Sequence, residues 1–131
     1  MGNWTGSRSY PYSSLIYGHC KARKLDIAEC LFKEMVNKKI TPTVVTYTSL
    51  INGYCRGGEL NKAFRLYHEM TGKGITPNTY TYTVLINGLC RAHKMNDANN
   101  LFNEMVDINV LPNKVTYNVL IDGYCKIGDT T

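Results

Sequence analysis

Two stretches of this chain are nearly identical: "TYTSLINGYC" occupies residues Thr46–Cys55 and "TYTVLINGLC" occupies residues Thr81–Cys90. Tyr47 and Tyr82 are 35 residues apart, and other residues keep the same period. Four copies are present of Tyr12, Tyr47, Tyr82 and Tyr117; Leu15, Leu50, Leu85 and Leu120; Ile16, Ile51, Ile86 and Ile121; Gly18, Gly53, Gly88 and Gly123; and Cys20, Cys55, Cys90 and Cys125. Three copies are present of Ala28, Ala63 and Ala98; Leu31, Leu66 and Leu101; Met35, Met70 and Met105; and Pro42, Pro77 and Pro112. A fixed internal period indicates a stack of repeated structural units.

Each unit contains two helical patterns. In the first, apolar residues recur at i, i+3, i+4, i+7 and i+8, which places them on one helix face: Tyr47, Leu50, Ile51, Tyr54 and Cys55. The second pattern has the same character: Ala63, Leu66, Tyr67 and Met70. We expect Thr46 to cap the first helix and Asn61 the second, and the segments "RGGE" and "GKGITP" to end them. The unit is therefore predicted to be a helix-turn-helix pair.

The fold predicted from this pattern is all-α, an α-solenoid of stacked 35-residue repeats. The repeats are expected at residues 9–43, 44–78 and 79–113, followed by a partial repeat at residues 114–131 whose first helix ends near Lys126. Residues 1–8 lie outside the pattern and are interpreted as a leader or an expression remnant. Glycine inside a helix costs about 1 kcal/mol relative to alanine, so its recurrence in each first helix predicts close helix contact.

Composition narrows the class of partner. A net charge of +5 and a pI near 9.0 favour an anionic partner, with nucleic acid ahead of an acidic protein. No segment approaches the roughly 18 apolar residues of a membrane span, so no membrane partner is expected. The first residues, "MGNWTGSR", show neither a secretory signal nor a transit peptide.

Catalytic and metal-binding patterns are not apparent. Four of the five cysteines share one repeat slot and no C-x-x-C pair occurs, so they are interpreted as small buried residues, and Cys30 as a partly exposed thiol without a role. No Ser-His-Asp order, no paired carboxylates at a shared register and no glycine-rich phosphate loop is recognised. We therefore expect no catalytic residue, no metal site, no cofactor and no small-molecule substrate.

One cation follows the cysteine in every unit: Lys21, Arg56, Arg91 and Lys126. A cation at the C-terminal end of a helix stabilises that helix through its dipole by about 0.3–1 kcal/mol. A row with one cation per stacked unit also matches the phosphates of a nucleic-acid strand. Both interpretations stay open, and the overall positive charge favours phosphate binding.

The pattern "VVTYTSLINGYCRGG", the second-helix pattern A-x-x-L-x-x-x-M and the closing "GITP" resemble the pentatricopeptide repeat family. The repeat sequences are most similar to those of its P-class, restorer-of-fertility-like members from plant organelles, and the resemblance covers residues 9–126. The tetratricopeptide family differs, because its period is 34 and its W-L-G-Y signature is absent here. The resemblance implies a right-handed superhelix that binds single-stranded RNA at one base per repeat. It also implies a parent protein in the mitochondrion or chloroplast that acts in RNA processing, stability or translation.

The resemblance assigns site residues. In the family, the residue after the first-helix tyrosine and the residue after the closing proline together read a base. The corresponding pairs are Ser13 with Thr43, Thr48 with Asn78, and Thr83 with Asn113, and Asn118 stands alone in the partial repeat. The residue three before each reading position sandwiches the base: Tyr10, Val45, Tyr80 and Val115.

The same resemblance gives an expected RNA. A hydroxyl paired with Asn is similar to the family's adenine readers, whereas Asn118 is similar to a pyrimidine reader, and Ser13 with Thr43 departs from the common pairs. The expected target is purine-A-A-pyrimidine, read 5′ to 3′. The residues themselves support a shared site, because positions 13, 48, 83 and 118 are all short and polar and lie off the apolar face.

Two further expectations concern protein partners. The alternative function is a helical scaffold whose concave face holds a peptide. The partial repeat is expected to leave apolar side chains uncovered on one side: Tyr117, Leu120 and Ile121. Exposed apolar side chains of this kind favour self-association through the repeat ends.

Overall fold

The structure, a computed structural model, describes the backbone of residues 9–130 and the side chains of residues 12–126. The proposed leader at residues 1–8 lies outside the described residues. Residues 9–130 contain helices and no strand: α1 (Ser9–Lys21), α2 (Leu25–Asn37), α3 (Val44–Arg56), α4 (Leu60–Gly72), α5 (Thr79–Arg91), α6 (Met95–Asp107) and α7 (Lys114–Thr130). The predicted all-α fold is confirmed.

The helices form two layers. Helices α1, α3, α5 and α7 lie side by side, each in contact with the next, and make what we call the first-helix wall. Helices α2, α4 and α6 form the second layer, where each packs on the wall helix before it and less extensively on the one after it. The second-layer helices lie further apart, and a side-chain hydrogen bond joins α4 to α6, where the Tyr67 hydroxyl donates to Glu104. The wall is therefore a continuous surface to which every repeat contributes one helix.

The wall helices begin earlier than predicted. The N-cap of α3 is Thr43, whose side chain accepts a hydrogen bond from the backbone N–H of Thr46. The Thr46 hydroxyl accepts in return from the backbone N–H of Thr43, which completes a capping box. Asn78 and Thr81 form the same box at the start of α5. The prediction of Thr46 as the cap was wrong, because two threonines three residues apart both fit the cap pattern.

The second helices follow their turns without a side-chain cap. α4 starts at Leu60 directly after Glu59, so the predicted cap Asn61 lies inside the helix, and this prediction was also wrong. The turn itself supplies the closing hydrogen bond, since the backbone N–H of Glu59 donates to the carbonyl oxygen of Tyr54 at 2.8 Å. A residue with positive φ makes each of the six turns: Arg23, Lys39, Gly58, Gly74, His93 and Asn109.

The predicted apolar faces are buried. On α3 the five predicted residues are all buried in the core. Of the four predicted residues on α4, three are buried and Leu66 is half-buried. The four cysteines of the shared slot were predicted to be buried. Cys20 and Cys55 are buried and Cys90 is intermediate, whereas Cys125 on α7 is exposed. Cys30 is exposed, as its place on the second helix predicted.

The recurring glycines allow neighbouring wall helices to touch. A Cβ added at Gly88 would lie 2.9 Å from the Cys55 Sγ atom, closer than real Cβ contacts. Gly123 is equally crowded against Cys90. A Cβ at Gly53 would lie 2.8 Å from Leu25 Cδ1 on α2 and 3.6 Å from Cys20 Sγ on α1, and a Cβ at Gly18 would meet nothing within 4 Å. The predicted close contact is therefore confirmed at three of the four glycines, and α1 has no wall helix before it to create the fourth.

A carboxylate joins the two helices of each repeat. The hydroxyl groups of Tyr12, Tyr47 and Tyr82 donate to carboxylates 22 residues further on, at 2.6, 2.8 and 3.1 Å: Glu34, Glu69 and Glu104. These carboxylates keep the 35-residue register at one per repeat, and they were not among the residues singled out from the sequence. Their contacts are structural, since each ties a wall helix to its second-layer partner.

The last helix departs from the prediction. α7 runs to Thr130 and Lys126 therefore lies inside it, because residues 127–130 do not make the turn that ends the other wall helices. Tyr117 and Ile121 are exposed as predicted. Leu120 is buried, contrary to the prediction, because α5 still covers one side of α7.

Candidate nucleic-acid interface

The predicted base-reading residues lie where one repeat meets the next. The members that follow the wall-helix tyrosine are buried: Ser13, Thr48 and Thr83. Their predicted partners are exposed, at the N-termini of the following wall helices: Thr43, Asn78 and Asn113. Thr48 lies off the apolar face, as predicted, yet is only 2% exposed because the next wall helix covers it. Asn118 has no following wall helix beside it and is exposed.

A threonine of the next repeat connects the members of each pair. Thr48 Oγ1 lies 2.7 Å from Thr81 Oγ1, and Thr81 Oγ1 donates to Asn78 Oδ1 at 3.0 Å. The backbone N–H of Thr81 also donates to Asn78 Oδ1, at 2.9 Å. The two residues predicted to read one base are thus held in one hydrogen-bonded group.

The other two junctions repeat this arrangement. Thr83 Oγ1 lies 2.8 Å from Thr116 Oγ1, which donates to Asn113 Oδ1 at 3.1 Å. At the first junction, the hydroxyl oxygens of Ser13 and Thr46 are 2.6 Å apart, and Thr46 lies 3.3 Å from the Thr43 hydroxyl. These connecting residues keep the period but were not among the predicted site residues: Thr46, Thr81 and Thr116.

Large apolar side chains are exposed beside each pair. Val45, Tyr80 and Val115 stand two residues after the three N-caps, and each is about half exposed. These are the predicted base-sandwiching residues, and exposed apolar groups at a regular spacing are suited to stacking with bases. Tyr10 belongs to α1, but its side chain lies outside the described part of the chain.

The Tyr80 phenol points towards the predicted phosphate row. Its hydroxyl oxygen accepts a long hydrogen bond, 3.4 Å, from the Nδ2 amide of Asn52 on α3. Partial burial raises the pKa of Tyr80 and Tyr17 adds to the rise, while the positive charges of Arg56 and Lys21 oppose it. Tyr80 therefore reaches back to α3 and lies within the electrostatic range of Arg56 and Lys21.

The four predicted phosphate-binding side chains are exposed on the first-helix wall: Lys21, Arg56, Arg91 and Lys126. Arg91 lies close to Cys55 of the preceding repeat, since its charge opposes the burial that raises the pKa of Cys55 to about 12. The charge of Lys126 likewise opposes the burial that raises the pKa of Cys90. Each of these two cations therefore stands at a junction between repeats.

Small cavities mark two of these junctions. Cys20, Gly53 and Arg56 border a cavity of about 180 Å³, and the residues 35 positions later border one of about 210 Å³. Arg56 lines both cavities, and the second cavity lies between Arg56 and Arg91, two consecutive cations of the row.

Charge is segregated between the two layers. Helices α1, α3 and α5 contain no Asp or Glu, whereas α2, α4 and α6 carry the carboxylates of the Tyr–Glu contacts. Two of these carboxylates are also paired with lysines of their own layer, Glu34 with Lys38 at 3.2 Å and Glu69 with Lys73 at 3.6 Å. In the described part of the chain, the cations of α1, α3 and α5 therefore stand on helices without acids, whereas Lys126 on α7 pairs with Asp122 at 3.3 Å.

Other kinds of site are not found in the described residues. No group of three or more His, Cys, Asp or Glu side chains could hold a metal ion there. No helix in the described part of the chain is long and apolar enough to cross a membrane.

The stack of helical hairpins with a polar group at each junction defines a helical-repeat protein of the α-solenoid class. Residues 9–56, 42–91 and 85–126 match the model of the PPR repeat family. These matches span most of the chain, which therefore belongs to the PPR repeat family. No curated protein matches the chain.

Solved structures of plant proteins have the same fold. The pentatricopeptide repeat protein PPR10 from maize is 28% identical, with a TM-score of 0.74, over 89% of this chain and 17% of its own chain. PPR10 in complex with an 18-nt psaJ RNA element gives a TM-score of 0.80 at 28% identity, over 88% of this chain and 17% of its own. The present chain thus spans about a sixth of that protein.

The PPR domain of Arabidopsis thaliana protein-only RNase P 1, in complex with tRNA, supports the fold alone. It is 23% identical, with a TM-score of 0.76, over 93% of this chain and 65% of its own. Together these structures confirm the predicted solenoid of helical hairpins.

Proposed function

We propose that this chain is a sequence-selective single-stranded RNA-binding module that reads one base per repeat and carries out no catalytic step of its own. The observation that carries this proposal is the group at each junction, where a buried hydroxyl and an exposed N-cap share one threonine beside an exposed apolar side chain. One such group per repeat is suited to one base per repeat. Membership of the PPR repeat family and the likeness to PPR10 in its RNA complex support it.

The proposed target is purine-A-A-pyrimidine, 5′ to 3′. The second and third junctions carry the same chemistry, Thr48 with Asn78 and Thr83 with Asn113, and therefore the same proposed base. Ser13 with Thr43 is assigned only to a purine, and Asn118 to a pyrimidine. Stacking contributes about 1–3 kcal/mol per base, so binding of three or four bases by this chain is expected to be weak.

Phosphate binding by the cation row supplies the sequence-independent part of the affinity. Lys126 keeps its slot although α7 continues past it, so stabilisation of a helix end does not account for the cation there. The absence of acids from α1, α3 and α5 leaves a positive surface beside the reading pairs.

The deciding experiment is selection from randomised RNA with the wild-type chain and with Asn78→Asp. Aspartate is an equally good N-cap, so one carboxylate oxygen can keep the hydrogen bonds from Thr81 while the other faces the RNA. The outward atom changes from an amide donor to an acceptor, which suits the N–H groups of guanine. We expect the second base to shift from A towards G and the third base to stay unchanged.

Asn113→Asp is the matched control, because it makes the same change at the third junction. It should shift the third base and leave the second. If the wild type and both variants enrich the same sequences, base reading by these residues is wrong. If none of them enriches RNA and the chain instead binds peptides, the helical scaffold is the better function.

Self-association is a second proposed property, carried by the apolar side chains that α7 exposes. Tyr117, Ile121 and Tyr124 are each at least half exposed on this helix. Sedimentation at increasing concentration should show a rising average mass, and Ile121→Lys should reduce it. A monomer mass at all concentrations would exclude this property.

We also propose that the parent protein is a P-class, restorer-of-fertility-like member that acts on transcripts of the mitochondrion or chloroplast. The quoted repeat wording supports this, together with the plant origin of the similar structures. A fluorescent fusion of the full-length parent protein, found outside both organelles, would contradict it.

A further inference from the structure

We propose that Thr81 is a specificity-determining positioning residue: its hydrogen bonds fix which atoms of Thr48 and Asn78 are free to meet a base. Thr46 and Thr116 hold the same place at the other two junctions. The inference rests on the proposed RNA-binding function, and it concerns residues that need not touch RNA, since Thr81 is fully buried.

The direction of each hydrogen bond follows from proton counting. Asn78 Oδ1 accepts from the backbone N–H of Thr81, so the side-chain atom that faces Thr81 is the amide oxygen. An amide oxygen cannot donate, so the only hydroxyl proton of Thr81 goes to Asn78 Oδ1. Thr81 Oγ1 also accepts from the backbone N–H of Asn78, at 3.2 Å. The 2.7 Å contact with Thr48 is then a hydrogen bond only if Thr48 is the donor.

This network leaves one donor and one acceptor for a base. Asn78 Oδ1 holds two hydrogen bonds from Thr81, so Asn78 offers its Nδ2 amide group, a donor, to the solvent. Thr48 has given its proton to Thr81, so its oxygen can only accept. An acceptor next to a donor complements an exocyclic amino group next to an unprotonated ring nitrogen. Adenine and cytosine have that edge, whereas guanine and uracil have a carbonyl next to an N–H.

The other junctions sharpen this inference. At the first junction the cap is Thr43, whose hydroxyl can donate to Thr46 or accept from it at 3.3 Å, so the direction is not fixed. At the third junction, Thr83 lies within hydrogen-bonding distance of both Thr116 Oγ1 and the carbonyl oxygen of Thr79, at 2.8 and 2.7 Å, and has one proton for both. The second junction therefore has the most strongly fixed polarity and is the place to test it.

The test compares wild type with Thr81→Val, using RNAs that differ only at the base read by the second junction, in the register found by selection. Valine keeps the shape of threonine but removes the hydroxyl, so Thr48 becomes free to donate and Asn78 loses one of its two restraints. We expect the preference for A and C over G and U at that base to fall by about three- to tenfold, the range of one hydrogen bond. Binding to the neighbouring bases should keep its preference.

Three further variants separate positioning from simple destabilisation. Thr81→Ser retains the hydroxyl and should restore the wild-type preference. Thr46→Val should leave the second base unchanged. Thr116→Val should relax the third base less than Thr81→Val relaxes the second, because Thr83 can still donate to the carbonyl oxygen of Thr79. Thr81→Ala, which also removes the hydroxyl, replaces Thr81→Val if that variant does not fold, as judged by circular dichroism.

The outcomes distinguish this inference from the proposed function. If wild type has no base preference at any position, both are wrong. If wild type is selective and Thr81→Val keeps the full preference, or Thr81→Ser loses as much as Thr81→Val, only the positioning role is wrong. If Thr81→Val weakens the preference equally at every base, Thr81 has a structural role and no positioning role.

Discussion

Helices α5 and α7 carry the same repeat pattern in different surroundings. Tyr82 and Ile86 on α5 are 1% and 0% exposed, whereas the residues in the same slots on α7, Tyr117 and Ile121, are 50% and 58% exposed. α5 has a wall helix on both sides and two second-layer helices against it, while among the described helices α7 contacts only α5 and α6. Burial of a repeat residue is therefore decided by its neighbours as much as by its own slot. Interior and terminal copies of one residue should respond differently to the same substitution.

The largest difference is expected for the wall-helix tyrosine. Tyr82→Ala removes a buried ring and its hydrogen bonds to Tyr67 and Glu104, and should lower the free energy of unfolding by about 3–5 kcal/mol. Tyr117→Ala loses mainly its edge-on contact with Phe102 and should cost about 1 kcal/mol. Urea unfolding followed by circular dichroism measures both. Equal costs would contradict the dependence on neighbours.

Substitution of an interior and of a terminal glycine by alanine should change the stability of the protein in opposite directions. Gly88→Ala places a methyl group 2.9 Å from Cys55 Sγ and 3.0 Å from Leu60 Cδ2, and should destabilise the protein by about 1–3 kcal/mol. Gly18 is helical and open, so Gly18→Ala should stabilise the protein by about 1 kcal/mol through helix propensity. The two variants are compared by their thermal midpoints, and shifts in the same direction would show that the crowding at Gly88 relaxes easily.

Alkaline pH should distinguish the interior thiols from the terminal one. Burial raises the pKa of Cys20 to about 11 and of Cys55 to about 12, from 9.0. The unfolded chain therefore releases these protons at lower pH than the folded chain, and stability falls as pH rises above 9. Each such thiol contributes a slope of about 1.4 kcal/mol per pH unit until its folded pKa is reached.

The matched variants are Cys55→Ala and Cys125→Ala, compared by urea unfolding at pH 8 to 11. Cys55→Ala should make the fall in stability less steep, whereas Cys125→Ala, at an exposed position, should leave it unchanged. Buried tyrosines such as Tyr47, whose pKa is also raised by burial, steepen the fall in every variant. Identical curves for the two variants would mean that Cys55 becomes accessible before the protein unfolds.

The smallest expected effect concerns salt. Four phosphate contacts predict a slope of log K against log salt of roughly −3, from about −0.7 per contact on a single strand. Arg91→Ala should reduce that slope by about 0.7. Lys126 is paired with Asp122, so Lys126→Ala should reduce it by less. Base preference should stay unchanged in both variants. If neither variant alters the slope, the cations of the row stabilise their helices and do not bind phosphates.

Periodicity was sufficient to predict the helices and their apolar faces, because these depend on spacing within one unit. The close approach at the glycines was predictable because glycine recurs inside a helix, where it has an energetic cost. Contacts between helices were not predictable in the same way. The Tyr47–Glu69 hydrogen bond depends on how two helices cross, and the burial of Thr48 depends on the helix of the next repeat. The start of α3 was predicted at the wrong residue, because Thr43 and Thr46 fit the sequence pattern of an N-cap equally well.

The hydrogen bonds from Thr48 through Thr81 to Asn78 cross the boundary between two repeats, and this limits how such genes can be rearranged. Duplication or exchange of a whole 35-residue unit keeps the group intact only if the unit placed after it brings a threonine in the slot of Thr81. The units that begin at residues 44, 79 and 114 satisfy this condition. The unit that begins at residue 9 carries Pro11 there, which has no hydroxyl, so a copy of it inserted in the interior would leave the preceding reading residue without its partner. Recombination can therefore shuffle the interior units freely, while the first unit is suited to the start of an array.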